Sequence, residues 1–185
     1  GALRVLAVNS FHRKGAKDAK PGWAACSYAR GSPMGMYYED FEEAGQFVSA
    51  PRLIEEADVR AFAELSGDRN PIHLDRAAAV AAGFAGPIAH GALGLSVATG
   101  LANRLELTRG TLVALVGVNW RFRAAIYYDD VVTLHLRVAS RRATGNPARG
   151  LVTLAAELKN QRGEVVQDGE FVELIARRTP SGGQP

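Results

Sequence analysis

Apolar and polar residues alternate with a period of two in four segments of the C-terminal half of the chain. These segments are Leu112–Phe122, Val131–Val138, Leu151–Lys159 and Val165–Leu174. Such alternation is typical of strands that have one buried and one exposed face. The last two segments are joined by a turn at residues 160–163, Asn-Gln-Arg-Gly, and short connections between successive strands favour antiparallel pairing. The pattern therefore predicts a largely antiparallel sheet.

Before these strands, apolar residues recur at helical spacing. The segment Ile54–Ser66 places Val59, Phe62 and Ala63 on one face, and Gly67 is suited to end this helix. Two shorter elements are also predicted, an extended segment over Gln46–Arg52 and a helix over Arg76–Ala82.

A longer helix is predicted over Ala92–Leu105, which is apolar on every side until Arg104. A helix of this kind must be covered by other structure. Gly94 and Gly100 each cost about 1 kcal/mol relative to alanine inside a helix, so we expect a close approach of the backbone to a sheet or a ligand there. One long apolar helix and an antiparallel sheet together predict an α+β fold, with the sheet curled around the helix.

The length of 185 residues is sufficient for one domain with a substantial core. Positive charge is concentrated at the N-terminal end. Residues 1–33 contain six Lys or Arg and one acid, whereas the remainder contains 16 basic and 18 acidic residues. The domain itself therefore gives no case for a nucleic-acid surface. We expect a flexible basic extension over 1–35, a single domain over 36–176 and a disordered tail over 177–185.

Cysteine content and hydropathy bear on the compartment. The single cysteine, Cys26, excludes an internal disulfide framework and favours a reducing, cytoplasmic location. The best candidate for a membrane span, 91–105, is too short and contains Asn103 and Arg104, so no membrane association is expected. The four histidines are scattered along the sequence and none pairs with a cysteine, so no zinc-type cluster is expected.

Two unusual stretches contain the candidate chemistry. Residues 68–73 read Asp-Arg-Asn-Pro-Ile-His, and residues 86–91 read Gly-Pro-Ile-Ala-His-Gly and lead into the long helix. An acid–base pair followed by N–H groups at a buried helix start fits proton transfer next to a carbonyl group. Alone, Asp68 could be a turn residue and His73 a hydrogen-bonded loop histidine, but together with the helix start they favour catalysis.

These two stretches, with the sequence from Phe62 to Asp75 around D-x-N-P-x-H, resemble the MaoC-type dehydratase family, which includes the (R)-specific enoyl-CoA hydratases. The resemblance extends over most of 37–174. It implies the hot-dog fold, an antiparallel sheet wrapped around one long helix. It further implies a lyase of fatty acid metabolism that acts on an acyl-CoA substrate. Members form a homodimer or a dimer of dimers by joining sheets, with the active site at the subunit interface.

By this resemblance Asp68 and His73 form the catalytic dyad. The N–H of Gly91 binds the thioester carbonyl oxygen, and Thr99 falls where the family has a hydroxyl near the dyad. Thr99 could equally bond back to the preceding helical turn. The supporting loop residues are Asn70, Pro71 and His90. We expect no metal and no redox cofactor.

Family members often continue after Phe122 with Pro-Val and then Gly-Asp, whereas residues 123–130 here read Arg-Ala-Ala-Ile-Tyr-Tyr-Asp-Asp. The shape of this loop is therefore expected to differ, while the dyad is unaffected. Two other functions stay open, a hot-dog thioesterase that uses a carboxylate and water, and a non-catalytic acyl-CoA-binding module. The Asp/His pair favours the hydratase. Candidates for contact with CoA are Arg69, Arg121 and Arg123, with no choice among them.

Overall fold

The computed structural model describes residues 35–42 and 45–178. Its strands are β1 (Gln46–Val48), β2 (Arg52–Leu53), β3 (Leu112–Phe122), β4 (Val131–Ala143), β5 (Arg149–Lys159) and β6 (Val165–Ala176). Its helices are α1 (Glu56–Ser66), α2 (Pro71–Leu74), α3 (Arg76–Ala81) and α4 (Gly91–Arg104). A 3-10 helix spans Tyr38–Glu42.

The sheet is antiparallel, in the order β1-β4-β5-β6-β3, and β2 also pairs with β4. The predicted turn between β5 and β6 is present. Gly163 N–H donates to the carbonyl of Asn160 over 2.9 Å, and a φ of 79° at Gly163 explains the need for glycine. All four strands predicted from alternation are confirmed, and β4 extends to Ala143 rather than ending at Val138.

One face of the sheet packs on α4 and forms the core. Period-two alternation places every second residue of β4, β5 and β6 on this face, because successive side chains of a strand point to opposite sides. The fully buried members include Leu134, Leu136, Leu154, Leu158 and Phe171. This arrangement confirms the predicted α+β architecture of a sheet that curls around one long helix.

Helix α4 is covered on one side, and not all round as its composition predicted. Its buried residues are Leu93, Gly94, Ala98 and Leu101, while Ala92, Ser96, Gly100 and Asn103 form an open face. The prediction of a close approach holds at Gly94, where an added Cβ would lie 2.3 Å from Gln167 Nε2. At Gly100 the described residues leave open space. Small residues on the open face explain why an apolar composition misled the prediction of complete coverage.

Helix α1 begins at Glu56, two residues later than predicted, because the Glu55 N–H donates to Asp58 Oδ2 over 3.0 Å at the helix start. It ends at Gly67, whose φ of 76° is left-handed, as predicted. Residues 67–70 form no helix or strand, and the next helix begins at Pro71. Pro71 at the first helical position allows the single turn α2, in which His73 lies.

The predicted N-terminal extension and C-terminal tail lie almost entirely outside the described residues. At the C-terminal boundary, Arg177 pairs with Glu39 over 2.9 Å and Arg178 pairs with Asp40 over 2.7 Å. These two contacts tie the residues after β6 to the 3-10 helix. Every helix in the described part of the chain is too short or too polar to span a bilayer.

Candidate active site

Asp68 follows the glycine that ends α1. Its Oδ1 accepts a hydrogen bond from Asn70 N–H over 3.2 Å, and its side chain is 54% exposed. Asn70 in turn caps α2, because its Oδ1 accepts from Ile72 N–H over 3.3 Å. The turn at 68–70 and Pro71 therefore hold Asp68 and the start of α2 in a fixed relation.

His73 is buried, and its ring is held by the main chain. Nδ1 lies 2.9 Å from the carbonyl oxygen of Ile88, which can only accept, so Nδ1 carries a proton and, in the neutral ring, the lone pair is on Nε2. Nε2 lies 3.9 Å from Asp68 Oδ2. This separation is too long for a direct hydrogen bond and short enough for both atoms to contact one water molecule.

His90 packs directly on His73. The two rings are stacked with centroids 3.7 Å apart, and His90 Nε2 donates to the main-chain carbonyl of Asp68 over 2.8 Å. His90 Nδ1 is buried and has no hydrogen-bond partner among the described residues. His90 thus connects the start of α4 to the loop that holds Asp68, which is the contact that a supporting loop residue would make.

Tyr128 fixes the backbone of the same turn, a role that sequence reasoning missed. Its hydroxyl donates to the carbonyl oxygen of His73. Burial raises the pKa of Tyr128, so the hydroxyl keeps its proton and remains a donor. Tyr128 belongs to the loop after Phe122, where the sequence departs from the family pattern. The loop that departs from the family pattern therefore contacts the main chain of His73.

A cleft of about 440 Å³ opens beside His73 and the start of α4. Its walls include His73, Phe84, Ile88, Gly91, Ala92, Phe122, Arg123, Ile126 and Gln167. The first N–H groups of a helix have no partner within the helix, and the side chain of His90 does not cap them. An added Cβ at Gly91 would lie 2.9 Å from the Phe122 ring, so glycine allows this ring to pack closely on the start of α4.

Gln167 of β6 supports the start of α4 through a hydrogen bond. Sequence reasoning did not identify this residue either. Its Nε2 donates to the carbonyl of Gly91 over 3.1 Å, and its Oε1 accepts from Trp120 Nε1 over 2.9 Å. Gln167 is 2% exposed. A polar residue at an inward position of a strand is the signal that could have identified it.

Replacing Gln167 by leucine is expected to lower the kcat supported by this site by about tenfold, with a smaller change in KM. Leucine keeps the volume and removes both hydrogen bonds, so the start of α4 loses its support. Steady-state kinetics measures the effect, and Gln46→Leu on the exposed β1 edge is the matched control. A kcat equal to that of the control would contradict this positioning role.

The structure does not bring Thr99 to the dyad within one protomer. Thr99 lies eight residues along α4 from Gly91, which corresponds to about 12 Å. Its hydroxyl donates to the carbonyl of Ser96 over 2.8 Å, the alternative that the sequence left open. Thr99 lines a different cavity from the cleft that His73 lines.

Folding brings Asp68 together with His73 and His90, two histidines that lie apart in the sequence. One donor atom of each of the three lies within 4.8 Å of the others. The expected absence of a metal stays a prediction. His135 is half-buried on the outer face of the sheet, where burial lowers its pKa.

Comparison with known proteins decides the family. The sequence model of the MaoC like domain matches residues 41–160. The chain is also 32% identical over 130 residues to an (R)-specific enoyl-CoA hydratase from Aeromonas caviae, covering 70% of this chain and 92% of that one. The chain belongs to the MaoC-like domain family. It is therefore an enzyme of the hydratase and dehydratase class.

Solved structures agree with this membership. A MaoC-like dehydratase from Rhodospirillum rubrum superimposes with a TM-score of 0.69 at 28% identity, covering 78% of this chain and 99% of that one. A Mycobacterium tuberculosis protein with a double hotdog fold gives a TM-score of 0.69 at 22% identity, covering 82% of this chain and 47% of that one. At 22% identity the Mycobacterium tuberculosis structure supports the fold alone. The present chain has the hot-dog fold.

Proposed function

We propose that this MaoC-like enzyme adds water to an enoyl-CoA thioester to give an (R)-3-hydroxyacyl-CoA, and catalyses the reverse dehydration. The observation that carries the proposal is the position of His73 Nε2. This atom lies 3.9 Å from Asp68 Oδ2, and His73 lines the same cleft as Gly91. This arrangement supplies a base, a second proton-transfer group and a helix start around one space.

The proposed reaction proceeds by proton transfer alone. His73 Nε2 takes a proton from water as the water oxygen bonds to C3. The electron pair of the C2–C3 double bond moves toward the thioester carbonyl and forms an enolate. The dyad returns one proton to C2 through Asp68, and the carbonyl re-forms. One water molecule is thereby added, and Asp68 and His73 regain their starting protonation states.

The N–H of Gly91 is the proposed donor to the enolate oxygen. Helix N-termini carry partial positive charge, so a developing oxyanion is stabilised there more than the neutral carbonyl. The missing side-chain cap at His90 supports this role, because it leaves the donor available to a ligand. Asn70, Pro71 and His90 are proposed as supports of the dyad.

Crotonyl-CoA distinguishes the proposed function from the two alternatives. Hydration removes the enoyl absorbance without releasing a thiol, which is the expected result. Thiol release would instead indicate a thioesterase, and binding without turnover would indicate a binding module. Activity that survives dialysis against a chelator is expected as well, since no step of the proposed reaction uses a metal or redox cofactor.

We further propose that two copies associate through β3. This strand lies at the edge of the sheet and exposes apolar side chains, namely Leu112, Val113, Leu115, Val116, Val118 and Phe122. A long apolar edge strand is prone to pair with another strand. A partner that joins its own sheet to β3 would also cover the open face of α4.

Val116→Lys is expected to convert the dimer to a monomer, because a charge in the centre of the joined strands would be desolvated on pairing. Val116 is 53% exposed in the single chain. Val48→Lys is the matched control, since Val48 is 42% exposed on the opposite edge strand β1. Sedimentation velocity measures the mass of both variants. A wild-type monomer, or a Val116→Lys dimer, would contradict the proposal.

The assignment to cytoplasmic fatty acid metabolism is part of the same proposal. It is supported by the single cysteine and by the acyl-thioester chemistry of the site. Among the basic residues considered for CoA, Arg123 lines the cleft, whereas Arg69 pairs with Glu64. Arg123 and Arg121 both bind Asp168 and hold the pKa of that carboxyl well below its usual range.

A further inference from the structure

A second cavity, of about 100 Å³, lies between α4 and the inner face of the sheet. Its lining is mainly apolar and includes Leu107, Leu115, Leu136, Leu154 and Phe171. Among these residues stands one carboxylate, Glu173 of β6. The reaction proposed above makes no use of this group.

Glu173 has no partner that would explain its position. It is 9% exposed, and its Oε2 is buried without a hydrogen-bond partner among the described residues. The residues beside it in the sheet, Leu115 and Val152, are apolar. A buried carboxyl group without a partner costs free energy, whereas leucine at the same place would add to the core. This cost of burial indicates that the carboxyl group of Glu173 binds a ligand.

The size of the cavity limits what that ligand can be. A volume of about 100 Å³ is smaller than the 150 Å³ apolar cavity known to hold benzene, so it accommodates only the end of a chain. Thr99 and Ala102 place this cavity along the same helix whose start, Gly91, lies in the catalytic cleft. An acyl chain that follows α4 from the cleft would reach Glu173 with its far end.

We infer that Glu173 binds a hydroxyl group at the far end of the acyl chain, so that this enzyme acts on ω-hydroxylated acyl thioesters. The inference rests on the proposed hydration of enoyl thioesters, whose substrate class it names. Burial raises the pKa of Glu173 to about 7, so both protonation states are available near neutral pH. A hydroxyl suits both, since it donates to a carboxylate and accepts from a carboxylic acid.

Desolvation favours a hydroxyl ligand over an ammonium group. The proton of Thr99 is committed to Ser96, so its oxygen can accept a hydrogen bond from a ligand in this cavity. An ammonium group would need the ionised carboxylate and full removal of its hydration shell in an otherwise apolar space. A hydroxyl meets the available partners at a much smaller desolvation cost.

The inference is tested by measuring binding of unreactive saturated acyl-CoAs to the wild-type protein by calorimetry. Hexanoyl-, octanoyl- and decanoyl-CoA are each compared with the ω-hydroxy compound of the same length. At one of these lengths the hydroxylated compound is expected to bind at least about tenfold more tightly, because the plain chain leaves the carboxyl without a partner. Equal or weaker binding of the hydroxylated compound at every length would overturn the inference.

Two variants locate the effect. Glu173→Gln is expected to retain a preference for the hydroxyl, since an amide can also bond it, whereas Glu173→Leu should favour the plain chain. Glu170→Leu, on the outer face of the same strand, is the control and should bind as the wild type does. A preference that survives in Glu173→Leu would overturn the assignment to Glu173.

Wild-type hydration of crotonyl-CoA is measured in parallel. Its absence would refute the proposed reaction, while the binding comparison would still test whether Glu173 binds the hydroxyl group.

Discussion

Asp68→Asn and His73→Gln are each expected to lower kcat/KM for crotonyl-CoA by at least about a hundredfold, the lower end for positioned acid–base groups. Asparagine keeps the shape of Asp68 and its bond from the Asn70 N–H, but it cannot accept or pass a proton. Glutamine can still reach the Ile88 carbonyl as a donor, but it provides no basic nitrogen where His73 presents Nε2. Initial rates of loss of enoyl absorbance measure both effects.

Each variant has a control of the same chemistry outside the cleft. Asp75→Asn changes an exposed aspartate whose Oδ1 caps α3 through Ala78 N–H, and asparagine caps a helix equally well. His135→Gln changes a histidine on the outer face of the sheet. Both controls should stay within about twofold of wild type. If Asp68→Asn or His73→Gln behaved like its control, the proposed dyad would be refuted.

The second large effect concerns the pH dependence of stability at Glu173. Burial raises its pKa from 4.5 to about 7, so the folded protein binds this proton more tightly than the unfolded chain does. The stability that comes from the protonated carboxyl is complete below pH 4.5 and is lost as the pH rises to about 7. This difference in pKa corresponds to a loss of about 3 kcal/mol in the free energy of unfolding.

Glu173→Gln should remove this loss, because the amide resembles the neutral carboxyl group at every pH. The variant is expected to match wild type at pH 4.5 and to exceed it at pH 8 by up to about 3 kcal/mol. Urea unfolding at the two pH values measures the change. Glu170→Gln on the exposed face is the control. Parallel pH profiles for wild type and Glu173→Gln would show that the carboxyl group of Glu173 does not lose stability on ionisation in the folded protein.

The fold was predictable because its signals are local. Alternation in the four long strands and the Asn160–Gly163 turn each depend on neighbours in sequence, and the structure confirms them. The extent of burial of α4 was not predictable in the same way. Ala92 and Gly100 contribute to an apolar composition, but residues this small can also lie on an open surface.

The candidate site was predictable only in part. The pairing of Asp68 with His73 followed from the motif, because only a short turn separates them. The bonds from His73 to Ile88 and Tyr128 join residues 15 and 55 positions apart, and no local pattern reports such contacts. Glu173 was within reach of sequence reasoning. It alternates with Phe171 and Ile175 on the inner face of β6, where a charged residue calls for an explanation.

The restraint of His73 has a consequence for catalysis. Its ring is bonded to the Ile88 carbonyl and stacked on His90, and its main chain is bonded by Tyr128. The imidazole has therefore lost its rotational entropy when the chain folds, before any substrate arrives. In the proposed reaction the activation barrier would therefore contain little reorganisation of the base, because the ring of His73 is already preorganised.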